Sequence, residues 1–212
     1  MEFDLAMTDA LLATTRAVRR RLDMDRPVPR EIVLECLELA VQAPTGGNSQ
    51  SWRWIVVDDA AKRAGLAALY RKAAQDFFVP QAAAASERGD RQTERVYDAA
   101  LWLADRLEKV PVHVIPCIER RVPANAPLAL LAPIFGSIFP AVWSFQLALR
   151  ARGLGSALTT AHLVYEQEAA ALLGVPDTVT QIALLPVAYT KGTDFKRAAR
   201  PPASTVTHWN HW

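Results

Sequence analysis

The chain reads as an α/β protein, with strands and helices stacked in layers around a shared core. Strand-like runs at residues 54–57, 110–118 and 181–189 stand far apart, and much of the chain between them is apolar at helical spacing. Strands separated in this way favour an α/β layer arrangement over an all-β fold. At 212 residues, 51 % apolar and 22 % charged, the chain is long enough to bury a sizeable core. It shows neither repeats nor low-complexity linkers, so one domain spanning 1–212 is expected.

Residues 4–13 are apolar at helical spacing and predict a first helix, which runs through Thr14 and Thr15 into Arg16-Ala17-Val18-Arg19-Arg20-Arg21. Pro27 and Pro29 mark a break, because proline disfavours helix at the residue before it. From Arg30 the spacing of Ile32, Val33, Leu37, Ala40 and Val41 predicts a helix that ends at Pro44. A polar, glycine-bearing junction at 43–52 leads into the first strand at 54–57. Asp58 and Asp59 then cap an alanine-rich helix expected to reach Phe78. Residues 80–90 read either as a connector or as a helix start, and 91–109 as a clear helix. The strand at 110–118 carries proline, which points to an edge or a bulge.

Residues 122–149 carry no formal charge and on length alone resemble a bilayer span. Pro123, Pro127, Pro133 and Pro140 argue against an uninterrupted helix, so the expectation is a loop, then a buried helix at 141–150 stopped by glycine, and no membrane span. A short helix at 166–173 closed by Gly174, a strand at 181–189 and a basic stretch at 191–200 follow. The last twelve residues are extended and aromatic, and their two tryptophans suggest docking.

A net charge of +2 is too small to argue for nucleic acid or an anionic membrane as partner. Cys36 and Cys117 fit neither a disulfide framework nor a metal spacing and read as reduced core thiols of a cytoplasmic protein. Glu2 and Asp4 stand where a signal peptide would be basic, so none is expected. His208 and His211 sit among tryptophans, and His113 and His162 are isolated, so no metal site is expected. Gly153 and Gly155 follow a helix instead of the strand that a dinucleotide fingerprint needs, and Gly46-Gly47 lacks the lysine of a P-loop. No Gly-x-Ser-x-Gly elbow occurs either. With no catalytic side chain in evidence, the chemistry is expected to reside in a cofactor.

Two stretches suit such a cofactor. Residues 43–52 collect amide side chains and backbone donors at an element junction, which is how a planar, hydrogen-bonding ligand is held. The arginine cluster places positive charges about one helical turn apart, where a phosphate fits. A solvated basic helix end or a nucleic-acid patch is the other reading of Arg19, Arg20 and Arg21.

These two stretches, the helix ending Gly153-Leu154-Gly155-Ser156 and the terminal Arg197-Ala198-Ala199-Arg200-Pro201, taken in that order, resemble the nitroreductase family of FMN-dependent oxidoreductases. The resemblance implies a three-layer fold with a central mixed, mainly antiparallel sheet flanked by helices, and a C-terminal extension crossing to the partner subunit. It also implies a homodimer with two FMN sites at the interface. Arg16, Ala17 and Arg19 match the motif that holds the flavin phosphate and ring edge, and Arg200 matches the C-terminal phosphate-binding arginine. Ala17 stands where serine is frequent and Thr15 where arginine is frequent, which shifts the phosphate grip toward Arg20, Arg197 or Lys196. Pro44, Thr45 and Asn48, with Gln50 nearby, match the block that reaches the flavin from the partner, and Thr159 and Thr160 the turn whose backbone donors face the isoalloxazine.

The implied reaction is a two-step exchange in which NADPH or NADH reduces the flavin at N5, and a nitroaromatic, quinone or similar electron-poor acceptor then takes the hydride. Trp52, Phe77, Phe78, Phe135, Phe139 and Trp143 are candidates to line the acceptor site. Two alternatives stand beside this: a flavin-binding or sequestering protein without turnover, and a flavin-fragmenting, benzimidazole-forming member of the same family. For the latter, residues 122–140 would form a lid.

Overall fold

Strand pairing sets the architecture of the computed structural model, which describes residues 2–212. Among these residues the helices are α1 (Leu5–Thr14), α2 (Arg30–Ala40), α3 (Ala60–Glu87), α4 (Arg91–Ala104), α5 (Leu128–Ala151) and α6 (Glu166–Leu173). The strands are β1 (Leu22–Asp23), β2 (Trp52–Val57), β3 (Val112–Ile118), β4 (Leu154–Ser156), β5 (Thr180–Gln181) and β6 (Leu185–Thr190). The sheet runs β1-β6-β3-β2, with β4 added to β6 and β5 to β3, and every strand pair is antiparallel. A parallel bridge from Ala17 to Ser156 makes it mixed.

The sheet separates two cores, giving three layers. Ile115 and Cys117 of β3 pack with Leu66, Tyr70 and Ala74 of α3 and Leu103 of α4. Val112, Val114 and Ile118 pack on the other face with Val33 and Leu37 of α2 and Ile138, Val142 and Phe145 of α5. The alternation follows from the two-residue period of a strand, and it makes β3 apolar on both faces.

All seven residues of β3 are buried, so this strand is central and the edge expectation for it fails. The bulge expectation holds. Between the pairs Val114↔Leu185 and Cys117↔Gln181, only Ile115 and Pro116 of β3 face the three residues Ile182, Ala183 and Leu184. Pro116 sits in that irregularity, where its carbonyl accepts the Ile182 N–H at 2.9 Å and its missing donor breaks no regular ladder. The same irregularity divides the expected strand at 181–189 into β5 and β6.

Prolines also fail to end two helices. α3 passes through Pro80 to Glu87, beyond the expected Phe78, and α5 begins at Leu128 and passes through Pro133 and Pro140. Residues 128–140 are therefore helix, which corrects the loop expected there. Each internal proline costs about 3 kcal/mol. Burying a Leu, Ile, Val or Phe side chain returns about 1.5–3 kcal/mol, and α5 buries Ile134, Ile138, Val142, Phe145 and Leu149 along one face, so packing wins. By length and composition α5 is apolar enough to cross a bilayer, yet this face lies on the sheet.

Local signals placed the other ends. The Asp59 side chain accepts the Lys62 N–H at 2.8 Å and caps α3, and Gly174 closes α6 with a φ of 70°. The expected helix at 91–109 stops at Ala104 and resumes as a 3₁₀ turn over Leu107–Lys109.

Two histidines lie in the α3 side of the core. His113 hydrogen-bonds the Leu107 carbonyl through Nε2 at 2.9 Å, while both ring nitrogens of His162 lack a protein partner. Burial pushes both imidazoles down from 6.5 to about 4, against the Glu166 carboxylate, which favours charged His162. Because the folded-state values are depressed, the unfolded chain binds protons first as the pH falls, and stability drops from pH 6.5 until both titrate near 4. The melting temperature is expected to be level above pH 7 and to fall through this window. His162→Leu should make the fall shallower, and an unchanged slope would show that His162 does not contribute.

Candidate functional site

The arginine cluster is not a helix end. After α1 the chain extends, and Val18 donates its N–H to the Ser156 carbonyl at 2.8 Å, so the arginines lie along the sheet edge at β4. Gly155 permits the approach: a Cβ there would sit 2.7 Å from Thr190 Cγ2 and 2.9 Å from Val18 Cγ2. Val18 is buried, Arg16 and Arg20 are exposed, and Arg19 is half-buried.

A groove of about 510 Å³ results, lined by Arg16, Ala17, Arg19, Arg20 and Arg21, by Ala99 of α4, and by Asp194, Phe195 and Lys196. Its cations divide into two groups. Arg20 pairs with Asp98 at 2.8 Å, and Arg21 pairs with Asp194 at 2.6 Å while donating to the Lys191 carbonyl at 2.9 Å. Arg21 and Arg150 also both lie over the Phe195 ring, at 4.2 and 4.5 Å from its centroid, which anchors the segment leading to the C-terminus. The second group is not neutralised. Arg16 donates only to the Lys196 carbonyl at 3.1 Å, and half-buried Arg19 has no hydrogen-bond or ion-pair partner among the described residues.

Burial pushes the Arg19 guanidinium down from its ordinary value, opposed by the nearby Tyr70 phenol. The group stays charged at neutral pH, because a guanidinium loses its proton only far above neutrality. A desolvated, unpaired cation attracts an anion strongly. Arg16, Arg19 and Lys196 thus offer charge and a donor fork matched to a phosphate monoester.

Pro44, Thr45, Asn48 and Gln50 line a different groove of about 520 Å³, with Trp52 and residues 41–43. Here the backbone is held in unusual conformations: Gly47, Asn48 and Gln50 have φ of 60°, 53° and 44°. Left-handed non-glycine residues store strain of order 1 kcal/mol or more, and such strain collects at ligand sites. The Gln50 amide donates to Asn48 Oδ1 at 2.7 Å, and Gly46 N–H donates to Ser137 Oγ of α5 at 3.0 Å. The two grooves share no lining residue, so within one chain the amide block and the arginines remain apart.

The remaining site candidates fall elsewhere. Thr159 N–H is already bonded to the Leu184 carbonyl at 3.0 Å, so of the Thr159 and Thr160 backbone donors that one is committed to the fold; the Thr159 hydroxyl meets Tyr70 at 2.9 Å. Arg197 and Arg200 are exposed and line neither groove, and Arg200 donates only to the neighbouring Ala199 carbonyl at 3.0 Å. Phe78 packs against Tyr70 and Tyr97, and Phe135 stacks on Phe139, while Phe77, Phe139 and Trp143 are exposed. Tyr70, Asp98 and Phe195 escaped sequence reasoning. Asp194 and Phe195 lay in a stretch marked as basic, of which only Lys196, Arg197 and Arg200 were singled out, and Tyr70 and Asp98 sat in ordinary helical patterns.

Comparison with known proteins shows the family. A sequence model described as the nitroreductase family matches residues 12–189, most of the chain. An iodotyrosine deiodinase of Thermotoga neapolitana is 26 % identical over 178 residues, 84 % of this chain and 86 % of that protein. A 5,6-dimethylbenzimidazole synthase of Rhodospirillum rubrum is 33 % identical over 151 residues, 69 % of this chain and 65 % of that protein. The structure superposes with a TM-score of 0.69 on that of an FMN-dependent nitroreductase from Mycobacterium smegmatis in complex with NADPH, at 23 % identity and covering 98 % and 100 % of the two chains.

Seating of the arginine segment against β4 depends on the absence of a side chain at Gly155. Gly155→Ala is expected to destabilise the protein by about 1–3 kcal/mol, the cost of overpacking a filled interior. Urea denaturation measures it, and a change below about 0.5 kcal/mol would mean the contact relaxes without cost.

Proposed function

The chain belongs to the nitroreductase family, and from that premise we propose that it is an FMN-dependent NAD(P)H oxidoreductase acting on nitroaromatic, quinone or similar electron-poor acceptors. Arg19 carries the reading: a half-buried guanidinium lacking a partner among the described residues, in one groove with Arg16 and Lys196. FMN presents the dianionic phosphate that such a cluster fits. When bound, FMN supplies the hydride exchange with NADPH or NADH that no side chain provides. The FMN-dependent M. smegmatis relative with NADPH supports both molecules.

In this reading the chain's own residues bind and orient. Arg16, Arg19 and Lys196 hold the phosphate, and the Arg19 charge favours negative charge placed beside it. Arg20 and Arg21 fix the groove through Asp98 and Asp194. Pro44, Thr45, Asn48 and Gln50 complete the site from a second copy, because their groove is separate from the arginines within one chain. A homodimer with two shared sites follows. Apolar exposure supports it: α1 buries none of its residues, α5 exposes Leu128, Phe139 and Trp143, and the tail leaves Trp209 81 % and Trp212 98 % exposed. The tail carries Arg197 and Arg200 onward, and crossing to the partner would cover its tryptophans. Two buried, unpaired thiols fit a cytoplasmic location.

The R. rubrum relative favours flavin fragmentation as a second reading. Anaerobic mixing with each nicotinamide, then with a nitroaromatic, a quinone, a halogenated tyrosine or air, separates the outcomes. Rapid bleaching and reoxidation by the first two is expected. Loss of flavin with a new aromatic product in air would favour the second reading, and turnover confined to the halogenated phenol would replace the acceptor proposed.

The protein is expected to purify with about one FMN per chain or to take it up, and Arg19→Ala to weaken binding by about 1–3 kcal/mol, the scale of a charged hydrogen bond. Fluorescence quenching by the protein checks both, and a wild type without FMN affinity defeats the reading. Co-expression of Asn48→Ala and Arg19→Ala with different tags should yield mixed dimers with one intact site and partial flavin content. A monomer that still binds FMN would refute the shared site.

A further inference from the structure

The amide block is exposed and strained, and little ties it to the rest of the fold. Gly47, Asn48 and Gln50 have φ of 60°, 53° and 44°, a backbone that persists only where its surroundings dictate it. Within the block the Asn48 N–H donates to the Thr45 carbonyl at 3.1 Å, the Ser49 N–H to the Gly46 carbonyl at 3.2 Å, and the Gln50 amide to Asn48 Oδ1 at 2.7 Å. Among the described residues, 44–50 make one hydrogen bond to another element: the Gly46 N–H donates to Ser137 Oγ of α5 at 3.0 Å.

Chemistry fixes the direction of that bond. A backbone N–H can only donate and a backbone carbonyl only accept, so the Ser137 hydroxyl gives its proton to the Pro133 carbonyl, 2.6 Å away, and turns a lone pair to Gly46. Ser137 is buried, and a Cβ on Gly46 would already touch Pro133 Cβ at 3.4 Å and Ser137 Oγ at 3.6 Å, so the loop is seated on this turn of the helix. We propose that Ser137 is a positioning residue of the cofactor site: through Gly46 it sets where α5 presents Asn48 and Gln50, two and four residues further on. This rests on the FMN reading above. A block already held in its bound conformation loses less freedom when a ligand arrives, and one released from α5 loses more.

The test uses the full-length protein and the variants Ser137→Ala, Ser137→Thr, Asn48→Ala and Ser137→Ala/Asn48→Ala. Hydrogen exchange by mass spectrometry over residues 44–50 reads the loop in FMN-free protein, and fluorescence quenching reads FMN affinity. Ser137→Thr keeps the hydroxyl, and a cavity of about 250 Å³ beside Ser137 leaves space for the added methyl. Ser137→Ala should speed exchange over 44–50 and weaken FMN binding by about three- to tenfold, the scale of one neutral hydrogen bond. Ser137→Thr should stay near wild type in both measurements. The double variant should lose less than the product of the two single losses, because Ser137 acts through the amides it places. If Ser137→Ala does not fold, Ser137→Cys, whose thiol accepts only weakly, is read by the same criteria. Faster exchange with unchanged FMN affinity shows an anchor of the fold alone and overturns the proposal, as do unchanged exchange or losses that multiply in full. Failure of the FMN reading is distinct: the wild type itself then takes up no FMN, and the assignment of Ser137 to a cofactor site falls with it even where exchange over 44–50 responds.

Discussion

Strand β3 is shielded from water on both faces and along both edges, and this constraint organises the rest of the molecule. Its side chains can alternate between two apolar cores only if helices cover each side, so α3 and α4 pack on one face and α2 and α5 on the other. Its backbone groups can be satisfied only by neighbours, so β2 pairs along its whole length on one edge while β6 and β5 share the other. The pairing of β6 with β4, and of Ser156 with Ala17, then carries the order outward to the arginines. The site geometry is thus a peripheral consequence of a central desolvation requirement.

Five cations around one groove would repel one another, and the fold resolves this by using them differently. Asp98 and Asp194 offset Arg20 and Arg21, and the latter also helps to hold Phe195. These pairs are largely exposed, where an ion pair contributes little to stability. Their role is geometric: they tie two of the groove's cations to carboxylates and leave Arg16, Arg19 and Lys196 without one. Arg19 is left with a desolvation cost that the protein itself does not offset, an arrangement that favours binding over stability.

Proline shows how local rules and tertiary packing compete. Pro80, Pro133 and Pro140 oppose helix locally, yet each lies inside one, and in α5 the lost hydrogen bonds are outweighed by a continuous apolar face on the core. Pro116 obeys its local rule inside the most buried strand, since a bulge places it where no regular ladder bond is required. The site tells the same story: Gly153 follows the helix in the left-handed conformation that ends one, whereas at Gly155 it is contact with Val18 and Thr190 that makes the lack of a side chain matter.

The sequence by itself determined the α/β layering, the caps at Asp59 and Gly174, and the two ligand-suited stretches, because periodicity, capping and charge clustering are local and survive in a linear string. It also marked Arg16 and Arg19, and Lys196 as an alternative, since positive charge is visible without coordinates. Only the tertiary structure decided which arginines are neutralised, because Asp98 and Asp194 lie 78 and 173 residues from their partners. It alone joined Tyr70 to Thr159 across 89 residues and kept the amide block apart from the arginines within one chain. Pairing at such separations depends on how two cores close around one sheet, and no local pattern encodes that.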